Sequence, residues 1–202
     1  MFDYLCNVSN ALRVARPDQI QDLANSLSTT QYRSKKWLID YLKQQKFPTN
    51  PSILILGGWY GSYLIPMLKA DFQPSRILLT DRDSETLSFA ETLHDARHLE
   101  EDVIKMGIID VGRDVERINS LKADIVINTS CEHMIGIDQI KVKNDNAVYV
   151  FQSCDEKDDP GHINAVETTD QFVAMCGFST VLMRGRLNLG HKNRFMAIGL
   201  KQ

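Results

Sequence analysis

The sequence predicts an α/β protein: a doubly wound, mostly parallel sheet, preceded by a helical cap and closed by a C-terminal antiparallel hairpin. Two observations carry this prediction. Short apolar runs without polar alternation, near 53–56, 76–80, 124–128 and 147–152, recur with helix-length segments between them, as expected of strands buried on both faces. Beyond residue 165 the pattern changes to one helix near 168–176 and two runs, 179–187 and 194–200, joined by Asn188-Leu-Gly-His191, which read as an antiparallel pair at the sheet edge.

The elements follow in chain order. Residues 1–50 are rich in Gln, Asn, Ser and Lys, and two apolar sets recur at helical spacing: Ile20, Leu23 and Leu27, then Trp37, Leu38, Tyr41 and Leu42. They predict two amphipathic helices, the first opened by Pro17 or Asp18 and the second ended before Pro48. This stretch is expected to cap one face of the sheet formed by residues 51–202, or to act as a lid over a substrate. Helices are expected over 62–70, 84–98 and 113–121, and the segment 104–110 supplies a weaker strand because Gly107 interrupts it.

Composition removes several function classes. The chain has 202 residues, 43% of them hydrophobic, which suffices for one sizeable core. A formal charge of -3 argues against binding nucleic acid through its phosphates, and Arg33, Lys35 and Lys36 read as a solvated helix face. No apolar run has the length of a membrane span, and Met-Phe-Asp-Tyr does not resemble a signal peptide, so a soluble, cytoplasmic protein is expected, with no membrane partner. Cys6, Cys131, Cys154 and Cys176 are scattered without zinc-ligand spacing, and no metal centre is expected.

The most informative stretch is Ile53-Leu-Ile-Leu-Gly-Gly-Trp-Tyr-Gly-Ser62. Its glycines turn a strand sharply into a helix whose free N–H groups face whatever lies above the sheet. About twenty residues on, Arg76-Ile-Leu-Leu-Thr-Asp81 ends a second strand with a carboxylate placed for a ribose diol. A nucleoside-bearing cofactor follows as the first expectation, held by Gly57, Gly58, Trp59, Tyr60, Gly61 and Asp81. Asp83, two residues on, is expected to cap the next helix instead.

These motifs, with Ala123-Asp-Ile-Val-Ile-Asn-Thr-Ser-Cys-Glu-His-Met134 and the terminal hairpin, resemble the Rossmann-like class I S-adenosylmethionine-dependent methyltransferases over residues 50–200. The resemblance implies S-adenosylmethionine as cofactor, adds Asp110 as an adenine-loop residue and Asn128 as a fourth-strand contact, and implies methyl transfer, or transfer of another group from the same cofactor. The chain departs from the family at Ile55, where an acidic residue is usual, and at Trp59, which replaces the middle glycine. A non-catalytic cofactor-binding or assembly protein is one alternative. An NAD-dependent oxidoreductase is another, although Gly-x-Gly-x-x-Gly is absent and the hairpin is unexpected for it.

Two polar clusters at the carboxyl edge of the sheet supply the chemistry. Asn128-Thr-Ser-Cys-Glu-His133 offers Glu132 and His133 as proton-transfer residues, with Cys131 read as a packed thiol. Gln152, His162 and Asn164, with Arg194 from the hairpin, are expected to grip a small polar substrate; the acidic run 155–159 reads as a solvated loop.

Overall fold

The computed structural model describes residues 2–94 and 103–201. Three helices, α1 (Phe2–Val14), α2 (Pro17–Ser26) and α3 (Thr29–Leu42), precede β1 (Ser52–Leu56). There follow α4 (Leu64–Phe72), β2 (Arg76–Asp81), α5 (Ser84–His94), β3 (Ile104–Ile108), α6 (Val115–Ser120), β4 (Ile125–Asn128) and β5 (Val148–Cys154). The chain finishes with α7 (Thr169–Cys176), β6 (Thr180–Asn188) and β7 (Asn193–Leu200).

The strands form one sheet in the order β3-β2-β1-β4-β5-β7-β6. The first five are parallel, and β7 inserts antiparallel between β5 and β6. The strand order reverses between β1 and β4, so a crevice opens at the carboxyl ends of these strands.

The apolar runs are buried on both faces, as their lack of alternation predicts. Ile53 and Ile55 of β1 join α3 and α4 through Leu38, Leu42, Ile65 and Leu68, while Leu54 and Leu56 enter the opposite cluster with Tyr149, Phe151 and Phe172. A third cluster joins Ala11 of α1, Leu23 of α2, and Phe89 and Leu93 of α5 to Tyr60. The N-terminal helices therefore cover α5 and the loop after β1 as well as a sheet face.

The helix expected over 62–70 lies at Leu64–Phe72, and other boundaries also depart from expectation. Helix α1 was not foreseen, because exposed Leu5, Leu12 and Val14 blur the apolar stripe made by Val8 and Ala11. The helix expected over 84–98 is described as Ser84–His94, and its last four positions lie outside the described residues. The helix expected over 113–121 narrows to Val115–Ser120, since the Asp114 carboxylate accepts the Asp110 amide in the turn before it. β3 is a full edge strand in spite of Gly107, paired with β2 along its whole length. Asp83 caps α5 as expected, accepting from the Glu85 amide at 2.9 Å and the Thr86 hydroxyl at 2.8 Å. Among the described residues no helix is long and apolar enough to cross a membrane.

Candidate active site

β1 ends in a loop whose backbone is unusual at three of five positions: Gly57, Trp59 and Gly61 have φ of 57°, 50° and 63°. A Cβ on Gly58 would stand 2.2 Å from Leu79 Cδ1 and 2.8 Å from Ile55 Cγ2, both buried in the core, so close packing favours glycine there as well. The Gly58 amide donates to the Thr80 carbonyl at 2.9 Å, and the Trp59 amide to Asp81 Oδ2 at 3.0 Å. Left-handed backbone at a non-glycine residue costs about 1–2 kcal/mol. Opposing that cost, the indole stacks on Tyr60, with centroids 5.3 Å apart, and packs against the cluster of α1, α2 and α5.

A cleft of about 730 Å³ opens over the carboxyl ends of β1 to β4, bordered by Gly57, Trp59, Asp81, Asp110, Ser130 and His133. Its volume suits a nucleoside-sized ligand. Asp81 is oriented by the Trp59 amide on Oδ2 and the Asp83 amide on Oδ1, while Asp110 Oδ1 accepts the Gly112 amide at 3.0 Å. Both carboxylates keep lone pairs for further donors.

His133 ends a short 3₁₀ turn, Cys131–His133, after β4. Its Nδ1 lies 2.9 Å from the Gly161 carbonyl, which can only accept, so Nδ1 carries the hydrogen and Nε2 of the neutral ring retains the lone pair. The neighbouring Glu132 points elsewhere. It is 4% exposed, and its Oε1 lies 2.6 Å from Arg194 Nη1, while Arg194 Nη2 donates to the Thr129 carbonyl. Burial, the largest single influence, pushes the Glu132 carboxyl upward, but the Arg194 charge together with hydrogen bonds from the backbone and from Arg194 holds the group below its ordinary range, hence ionised.

Several residues expected at the ligand are engaged inside the protein. Asn128 is buried, accepting the Ser130 amide and donating toward Met134 Sδ. Gln152 is buried and locked to Ser34 of α3, accepting from its hydroxyl at 2.8 Å and donating to its carbonyl at 3.2 Å. Arg194 is buried because β7 runs between two strands and not along the rim. Asn164 fastens its loop to the 3₁₀ turn, donating to the carbonyls of Met134 and Glu132. His162 lies behind His133, the two rings edge to face at 4.5 Å.

Gly58, Tyr60 and Gly61 border a second, smaller space of about 40 Å³, together with Ser26, Ser62 and Thr129. Trp59 and Ser130 border both spaces. Lys35 of α3 also lines it, a residue that the sequence placed on a solvated face. Burial draws its ammonium down to about 7; the Arg194 charge adds to this, and Glu132 opposes it. No local pattern distinguishes Lys35, since the charged groups that act on it, Glu132 and Arg194, come from distant parts of the chain.

No protein-family model matches this chain, and no curated protein matches it by sequence. Solved structures do. The magnesium protoporphyrin IX methyltransferase (ChlM) of Synechocystis PCC 6803 with bound SAM matches with a TM-score of 0.62 at 10% identity, over 86% of this chain and 80% of that one. The same enzyme with bound SAH gives 0.63 at 12% identity, over 86% and 84%. The N-methyltransferase NodS of Bradyrhizobium japonicum WM9 gives 0.62 at 12% identity, over 87% of this chain and 98% of that one. The architecture is the class I methyltransferase fold.

Proposed function

We propose that this chain, which has the class I methyltransferase fold, binds S-adenosylmethionine and transfers its methyl group to a small polar acceptor. The observation that carries the reading is the juxtaposition in one cleft of Asp81, fixed by the Trp59 amide, with the free Nε2 of His133. The residues present fit the cofactor. The cleft beside the glycine loop has nucleoside size, Asp81 offers lone pairs to a ribose diol, and Lys35 offers a cation to a carboxylate in the adjoining space.

When bound, S-adenosylmethionine supplies an electrophilic methyl group on a sulfonium. The protein's part is position and proton management. Asp81 and the loop at Asp110 fix the nucleoside end, and Lys35 fixes the opposite end. Met134 and Ile135 give the cleft an apolar wall that limits water. His133 Nε2 accepts the acceptor's proton where one must leave, its tautomer held by Gly161.

A second reading rests on Ile55. Fully buried in the sheet core, it offers no carboxylate to the cofactor's ammonium, which favours a non-catalytic binding or assembly protein. Calorimetric titration with S-adenosylmethionine, S-adenosylhomocysteine and NAD tests the cofactor. Saturable binding of both sulfur nucleosides, weakened in Asp81→Ala, supports S-adenosylmethionine, and turnover to S-adenosylhomocysteine with a polar acceptor then separates the enzyme from a non-catalytic binder; binding of NAD alone replaces both with an oxidoreductase. No binding to folded, ligand-free protein leaves the assembly role.

A further inference from the structure

Glu132, Cys154 and His162 come from three different segments: the turn after β4, the last position of β5, and the turn beyond it. One donor atom from each lies within 4.8 Å of the other two. The cluster is withdrawn from water, with Glu132 4%, Cys154 0% and the His162 side chain 6% exposed. Arg194 occupies Glu132 Oε1, but Oε2 is buried without a hydrogen-bond partner among the described residues. A buried, ionised oxygen left unpaired is costly, and a donor or a cation beside it removes that cost.

We propose that Glu132, Cys154 and His162 form a binding site for a divalent transition metal of the zinc type, with its fourth position left to water or to an exogenous ligand. The mixed O, S and N donor set selects a borderline-soft ion over calcium or magnesium, and three protein ligands with one open position suit a tetrahedral ion. The surroundings supply the supports that metal ligands need. Arg194 holds the other oxygen of the Glu132 carboxylate at 2.6 Å. His162 Nδ1 lies 3.7 Å from Cys154 Sγ and 2.5 Å from the Glu156 carbonyl, a hydrogen bond that ligation through Nδ1 would replace, and Asp159 Oδ2 stands 3.7 Å from Nε2, which then carries the hydrogen.

Coordination replaces the S–H bond of Cys154 by an S–metal bond and releases one proton to solvent. The thiolate and Glu132 contribute two negative charges against the metal's two and the guanidinium's one. The site is left with one net positive charge, which favours an anionic oxygen as the fourth donor. Sequence spacing gave no hint of this site, because Glu132 follows β4 while Cys154 and His162 end and follow β5, and only the pairing of these two strands brings them together.

Cobalt(II) titration of the metal-free full-length protein, kept reduced and without cofactor, tests the site independently of methyl transfer. One equivalent is expected to bind, with visible ligand-field bands and a near-ultraviolet thiolate-to-cobalt charge-transfer band. Cys154→Ser should lose the charge-transfer band, Cys6→Ser, at the exposed cysteine, should keep it, and His162→Ala should weaken binding at least tenfold, all with unchanged far-ultraviolet dichroism. Absence of stoichiometric uptake by folded protein, or persistence of the band in Cys154→Ser, overturns the proposal.

Discussion

The Trp59 amide donates to Asp81 Oδ2 at 3.0 Å, joining the glycine loop after β1 to the tip of β2. The carboxylate is therefore aimed before any ligand arrives, and the loop is held by the group that the ligand would use. Asp81→Ala removes both effects. Hydrogen bonds to a charged group contribute about 1.5–3 kcal/mol, so affinity for S-adenosylhomocysteine should fall about ten- to a hundredfold. Asp81→Asn, which can still accept the amide, should fall less; equal losses in the two variants would deny the loop contact any part in binding.

Arg194 and Glu132 form a buried pair whose disruption is asymmetric. Arg194→Met leaves an ionised carboxylate in the core and should cost about 3–5 kcal/mol in urea denaturation, whereas the double variant Arg194→Met, Glu132→Leu should recover most of that loss. A single variant within 1 kcal/mol of the parent would show that the carboxylate escapes to solvent.

Lys35 gives cofactor binding a pH dependence of definite sign. Its ammonium is drawn down to about 7 by burial and by Arg194, with Glu132 opposing, while a bound carboxylate favours the charged form. Affinity of the metal-free protein should be flat below pH 7 and fall up to tenfold per unit above it, with proton uptake measurable from binding heats in buffers of different ionisation enthalpy. In Lys35→Met the dependence due to this group should vanish, and binding at pH 6.5 should weaken. A profile identical in the two proteins would remove Lys35 from the cofactor.

His94 does the converse for stability. Its Nε2–H donates to the Tyr60 carbonyl at 2.7 Å, the ring stacks on Tyr4, and burial pushes its pKa down to about 4, with Lys69 adding to the effect. Above pH 6.5 the folded and unfolded forms are both neutral. Between 6.5 and 4 the unfolded chain takes up a proton that the folded one refuses, so stability falls with pH, by about 2 kcal/mol between pH 7 and pH 5. In His94→Gln, equilibrium denaturation at these two pH values should differ correspondingly less.

The sheet and the glycine loop were legible because their signals are local. Unbroken apolar runs mark β1, β2, β4 and β5, and the spacing from Gly57 to Asp81 marks a strand, turn, helix and strand in succession. Arg194 was expected to grip a substrate and instead pairs with Glu132 in the core, because nothing short-range says which of the last two strands lies inside. The unbroken run Phe195–Ile198, beside the alternating exposure of β6, was the available signal. Gln152 looked like an open amide at the sheet edge, but Ser34, 118 positions earlier in the chain, closes over it. Lys35 and Glu132 acquire their character from each other's neighbourhood, which no window along the chain contains.

The insertion of β7 between β5 and β6 also has a kinetic consequence. During synthesis β7 is the last strand to emerge, yet it occupies an interior place, so the sheet stays split until a strand made late pairs with β5. Until then Glu132 lacks its guanidinium, and β6 has no neighbour. A ribosome paused before residue 193 would thus carry an intermediate with an open apolar edge, and ligand-competent protein would form only after translation has passed the end of that strand.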